Sequence, residues 1–299
     1  MSDPQAPLKE FQKTKDFFIG IDSDGCAFDT MEIKHKECFG PNIVKYYGLQ
    51  PVSKMAREAF EFVNLYSKDR GCNRWIAVRK VLDLLAERPE VAARNVTIPP
   101  WEGLNAFLKS GCTLSNDGLK EFIGKNTDPA LIDDLLTMYD WTRAVNTSVG
   151  DIVHDVPPFP FVRESLAKAF AKADMIVVSA TPNEALEREW VEHDIAQYVA
   201  VIAGQEMGKK SEHLALAAKG KYPSEGILMV GDAPGDYKAA KDNDALFFPV
   251  NPGAEDKSWK RFHDEALDRF FDGSYAGDYE KQLYEEFETY LPELPPWKK

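Results

Sequence analysis

The chain has 299 residues, 44% of them hydrophobic and 28% charged, which is enough apolar material for one large domain or two ordinary ones. Its formal charge of -13 argues against a nucleic-acid partner, because phosphate backbones are bound by stripes of Lys and Arg that the sequence lacks. No apolar run approaches the roughly 18 residues of a membrane helix and the N-terminus carries no apolar targeting segment, so a cytoplasmic monomer or homodimer with no membrane partner is expected. Cys26, Cys38, Cys72 and Cys112 show no CxxC spacing and are expected as free thiols.

In chain order, the first predicted element is a buried strand over Phe17 to Ile21. It ends in Asp22 and Asp24, one residue apart, followed by Gly25, which permits a tight turn and leaves amides to face an anion. From Met31 to about Val156 the periodicity is helical. Met55, Ala59, Phe62, Val63 and Tyr66 share one face, as do Trp75, Val78, Leu82 and Leu85. Asp128 and Pro129 open a further helix whose predicted stripe is Leu131, Ile132, Leu135, Leu136 and Tyr139. The proline cluster at Asp155 to Phe161 breaks this pattern.

Strands and helices then alternate. Helices are predicted over Phe161 to Ala171, after Thr181 and Pro182, from Ser211 to about Lys219 and from about Gly235. Strands are predicted at Met175 to Ser179, Tyr198 to Ala203, Ile227 to Val230 and Leu246 to Val250. Thr181 with Glu184 reads as a capping box and Pro182 as the first helical residue. Alternation of this kind implies an α/β fold with a parallel sheet and right-handed crossovers. Two amphipathic helices close the chain, one lined by Trp259, Phe262, Ala266 and Phe270, the other by Tyr279, Leu283, Phe287 and Tyr290. The expected organisation is a core of residues 1–30 plus 158–250, a helical cap of 31–157, and an extension of 251–299 packed on the core.

Polar residues at strand ends or helix starts carry the candidate chemistry. Ser179 closes the strand at Met175 and can donate a hydrogen bond to a phosphate oxygen, as can the Ala180 amide. Of the pair Lys209 and Lys210, the second is the one expected to face inward, where an ammonium would offset carboxylate and phosphate charge. Asp232 and Asp236 follow the strand at Ile227 and can converge on one point, an oxygen-ligand set that suits Mg²⁺. Asp232 could instead cap the helix that follows.

The order and spacing of these four places resemble the haloacid dehalogenase superfamily, over residues 17 to 30 and 158 to 250. The resemblance implies a Rossmann-like core with Asp22 as nucleophile and Asp24 as general acid and base. It implies Ser179, Ala180, Ser23 and Lys210 as phosphate ligands, with Lys210 also catalytic. Asp22, Asp232, Asp236 and the backbone carbonyl of Asp24 would hold Mg²⁺. The all-helical insertion after the first motif is similar to the cap of the phosphoglycolate phosphatase and β-phosphoglucomutase group. In that cap, the polar stretch Ser67 to Arg74 places Arg70, Asn73 and Arg74 as candidates for substrate specificity. Family members that cleave carbon–phosphorus or carbon–halogen bonds lack an acid two residues after the nucleophile, so Asp24 implies a phosphate ester of a small metabolite. The alternatives are a phosphomutase using the same residues, and a phospho-accepting or ligand-binding module without turnover.

Overall fold

The computed structural model describes residues 3–298, which form two compact units. One comprises the chain up to Met31 together with Asp155–Pro292; the other comprises Glu32–His154 together with the residues from Glu293 onward.

The first unit is built on a parallel sheet of five strands: β1 (Phe17–Ile21), β2 (Ala173–Val178), β3 (Val201–Ala203), β4 (Ile227–Gly231) and β5 (Leu246–Pro249). Their order is β3-β2-β1-β4-β5, so the strand carrying Asp22 and Asp24 at its end is central. Ile21 of β1 lies beside Val177 of β2 and Val230 of β4. Alternation of side chains sends Ile19 and Ile21 to one face and Phe18 to the other. Both faces are covered. Trp190, Trp259, Phe262 and Phe270 pack on the first, and Leu8, Leu214, Phe247 and Phe287 on the second. β3 is shorter than the sequence pattern predicts because Ala196–Tyr198 winds into a 3-10 turn; it is an edge strand, and edges are kept short.

Asp174, near the amino end of β2, ties three parts of this unit together. It accepts hydrogen bonds from the Thr14 amide (2.8 Å), the Thr14 hydroxyl (2.5 Å), the Lys15 amide (2.8 Å) and the Tyr222 hydroxyl (2.6 Å). Burial alone would raise its pKa, but these donors outweigh it and hold the carboxyl below its usual value. A depressed carboxylate contributes stability above its unfolded pKa of about 3.9 and loses it as pH falls through the folded value. Asp174→Asn is therefore expected to cost about 2 kcal/mol at pH 7, and melts should show the gap from the wild type narrowing as pH falls below about 3.9.

The second unit is helical throughout its regular structure. Ser53–Leu65, Arg74–Ala86 and Pro129–Ile152 are its principal helices, and Trp75, Trp141, Phe39, Phe60 and Phe107 form its aromatic centre. Trp75 meets Trp141 and Phe107 edge-on at 5.5 and 5.8 Å. Asp128 caps the long helix through the Ala130 amide at 2.9 Å. Its fully buried residues are Leu135, Met138, Trp141, Thr142 and Val145; of the predicted stripe, Leu135 is among them, Leu131 and Tyr139 pack partly buried against the same core, and Leu136 is 45% exposed. The helix runs for 24 residues, so its buried face continues beyond the first turns that the predicted stripe covers.

The C-terminal extension divides. The helices Glu255–Arg261, Leu267–Asp272 and Asp278–Tyr290 belong to the sheet unit, whereas residues from Glu293 onward belong to the helical unit. There Trp297 meets the Phe62 ring at 5.9 Å and lies under the Arg88 guanidinium at 4.3 Å, while Lys298 pairs with Glu87. The ring contact with Phe62 and the cation–π contact with Arg88 hold this end on the helical unit, against the core expected from sequence order.

Candidate active site

The site grows from the carboxyl end of β1. The Asp22 amide donates to the Val230 carbonyl at 3.0 Å, which extends the ladder one residue beyond the strand and holds Asp22 beside the end of β4. The chain then turns. The Ser23 carbonyl accepts from the Ala27 and Phe28 amides at 2.9 and 3.1 Å, and Gly25 adopts a φ of 76°, a conformation that favours glycine. The Gly25 amide donates to the Phe28 carbonyl at 2.8 Å, so it closes the turn and does not face outward as expected. Trp259 supports the turn from outside through an indole N–H donated to the Cys26 carbonyl at 2.7 Å. That bond gives one C-terminal helix a defined job.

Lys210, the first residue of the helix Lys210–Ala217, donates from Nζ to Asp22 Oδ2 and to Asp236 Oδ1, both at 2.6 Å. Lys209 is exposed, and its amide donates to Glu212. Asp232 follows β4 directly and is buried, but the helix begins at Pro234 with Ala233 at its cap, so Asp232 is not the capping residue. Asp236 reaches back instead, accepting from the Ala233 amide at 3.1 Å. Carboxylate oxygens of Asp22, Asp232 and Asp236 all lie within 4.8 Å of one another.

Burial raises the Asp22 pKa, the Asp236 and Asp232 charges raise it further, and Lys210 opposes them. Lys210 itself is held protonated: burial disfavours its charge, but Asp22 and Asp236 outweigh that cost. Three buried carboxylates against one ammonium leave excess negative charge, and hard oxygen donors at this spacing fit a divalent cation such as Mg²⁺.

Asp24 is half-buried and lies outside this cluster of oxygens. Its carboxylate accepts from the Thr30 hydroxyl at 2.5 Å and the Thr181 hydroxyl at 2.6 Å. The Thr181 bond corrects the predicted capping box. The helix there is Asn183–Glu192 with Pro182 at the cap position and no side-chain cap, because the threonine hydroxyl is taken by Asp24. Ser179, just after β2, is buried; its hydroxyl oxygen accepts from the Thr181 amide at 3.2 Å, which leaves its proton to donate. Ala180 beside it is exposed.

Ser23 is fully buried, and its amide donates to Asp22 Oδ1 at 2.8 Å. Its hydroxyl donates to Glu189 Oε2 at 3.0 Å and accepts from the Trp190 indole N–H at 3.0 Å. Neither group points to an external anion. Glu189, Trp190 and Thr181 were not legible as site residues, since their partners lie over 150 residues away in sequence, whereas Thr30 lies only six residues from its partner Asp24.

No family model and no curated protein matches the sequence. Solved structures do match. One is a protein described as a phosphoglycolate phosphatase from Lactobacillus delbrueckii subsp. bulgaricus, at 16% identity over 92% of this chain and 99% of that one, with a TM-score of 0.46. A haloacid dehalogenase-like hydrolase from Streptococcus pneumoniae is similar at 10% identity over 83% and 91%, with a TM-score of 0.44. CbbY from Rhodobacter sphaeroides, solved with phosphate, is similar at 17% identity over 80% and 87%, with a TM-score of 0.40. At such identities the functional argument rests on this chain's own side chains.

Within the helical unit, the three specificity candidates have local partners. Arg70 is buried and donates to the Leu65 carbonyl at 2.9 Å, at the end of a helix, where free carbonyls need donors. Asn73 caps the next helix through the Trp75 amide at 3.0 Å and donates to the Leu114 carbonyl. Arg74 donates to Thr142 and Asn146, and its guanidinium lies 5.1 Å from the Phe39 ring centre. Arg70 and Asn73 thus each give a side-chain donor to a backbone carbonyl, Arg70 while buried and Asn73 while exposed.

Proposed function

We propose that the protein is a Mg²⁺-dependent phosphatase that hydrolyses a small phosphorylated metabolite through an aspartyl-phosphate on Asp22. The observation that carries this reading is the convergence of Asp22, Asp232, Asp236 and Lys210 at adjoining strand and helix ends, with Asp24 held separately by two hydroxyls. Mg²⁺ held by the three carboxylates would supply the positive charge that lets an anionic nucleophile approach an anionic phosphate.

The chain's own groups account for the remaining steps. An Asp22 oxygen forms the bond to phosphorus as the ester P–O bond breaks. Lys210, fixed on Asp22, offsets charge on the transferring group, and Ser179 donates to a phosphate oxygen. Asp24 gives its proton to the leaving alcohol, then takes one from the water that hydrolyses the aspartyl-phosphate. Phosphate release from a panel of phosphate esters tests the reading. Hydrolysis with Mg²⁺ should fall to background with chelator and return when Mg²⁺ is restored; no release from any ester, or chelator-insensitive release, would overturn it.

A further inference from the structure

Ser23 lies between the two carboxylates that the proposed reaction needs, and its three polar groups point in three directions. The amide holds Asp22 Oδ1, the carbonyl closes the turn through Ala27 and Phe28, and the hydroxyl leaves the turn for the helix Asn183–Glu192. There the hydroxyl has both a donor and an acceptor. Trp190 Nε1 gives it a hydrogen bond and Glu189 takes one from it, so its proton has a fixed direction. Trp190 is fully buried and meets the Phe28 ring edge-on at 5.9 Å, gripping the far side of the same turn. Just before that helix, Thr181 holds Asp24. One segment, 181–190, therefore touches the turn at Ser23, Asp24 and Phe28.

We propose that Glu189 and Trp190 are positioning residues, which act through the Ser23 hydroxyl to fix the placement of Asp24 relative to Asp22. A serine here is not a phosphate ligand through its side chain; it is the link between the turn and the helix. The inference rests on the phosphatase reading, since it assigns the helix a part in aiming that reaction's nucleophile and acid. A shift of a reacting group by a fraction of an ångström lowers rate without removing binding. The loss should be greatest where the leaving group needs the proton from Asp24.

The test compares an alkyl phosphate with p-nitrophenyl phosphate, whose leaving group needs little protonation, in Ser23→Ala, Glu189→Ala and Trp190→Phe with Mg²⁺ present. Each variant is expected to lose about tenfold in kcat on the alkyl ester with KM within about twofold, and distinctly less on the aryl ester. Because Ser23 and Trp190 share one hydrogen bond, the Ser23→Ala/Trp190→Phe double variant should be no slower than the worse single one. Should Trp190→Phe fail to fold, Ser23→Ala and Glu189→Ala carry the test. Variants with wild-type kcat, or losses equal on both esters that follow lowered melting temperatures, overturn the inference while the wild type stays active. A wild type inactive on every ester removes the phosphatase reading itself.

Discussion

Asp22→Asn is expected to abolish ester hydrolysis, lowering kcat by on the order of 10⁴-fold or more. The substitution conserves size and leaves an amide oxygen to accept from the Ser23 amide or Lys210, whose bonds to Asp22 are 2.8 and 2.6 Å. It removes the anionic oxygen that attacks phosphorus. Loss of one buried charge also relieves repulsion from Asp232 and Asp236, so the fold is expected to survive. Single-turnover assays on an alkyl phosphate, with a thermal melt alongside, separate the two effects. A folded Asp22→Asn protein retaining more than a few per cent of wild-type turnover would remove Asp22 from the role of nucleophile.

Gly231→Ala should damage the same site without replacing a charged residue. A Cβ on Gly231 would lie 2.4 Å from both Cβ and Cγ of Asp236. Such an overlap with a side chain so near its own backbone cannot be relieved by turning a distant end, so Asp236 or the helix bearing it must move. Asp236 would then release the Ala233 amide and Lys210. The expected result is a loss of about 1–3 kcal/mol in stability and at least about 100-fold in turnover. Gly235→Ala supplies the control. Nothing lies within 4 Å of its added Cβ, and alanine favours a helix, so it should match or exceed wild-type stability. Equal behaviour of the two alanine variants would contradict the packing argument.

Elements set by local chemistry were legible in the sequence. β1 and the Asp128 cap follow from an apolar run and from an N-cap followed by proline, features that each act over a few residues. Lys210 was favoured over Lys209 but not separable from it in the sequence; the helix starts one residue earlier than its pattern suggests, and there Lys210 reaches Asp22. What stayed hidden depends on partners distant in sequence. Thr181 looked like a cap because its neighbourhood spells one, yet the carboxylate of Asp24 competes for the same hydroxyl and wins it. Ser23 stood out only as a phosphate ligand by resemblance, since nothing near it announces the indole and carboxylate that receive its side chain. Arg70 stood in a polar stretch as a specificity candidate, and it donates to a carbonyl at a buried helix end.

The division of the C-terminal extension has a practical consequence for anyone dissecting the chain. The helical unit cannot be excised as one continuous segment, because the stretch that covers Phe62 and Arg88 is encoded after the last helix of the sheet unit. A gene trimmed at Pro292 keeps every strand, yet it strips an indole and an ion pair from the other half of the molecule.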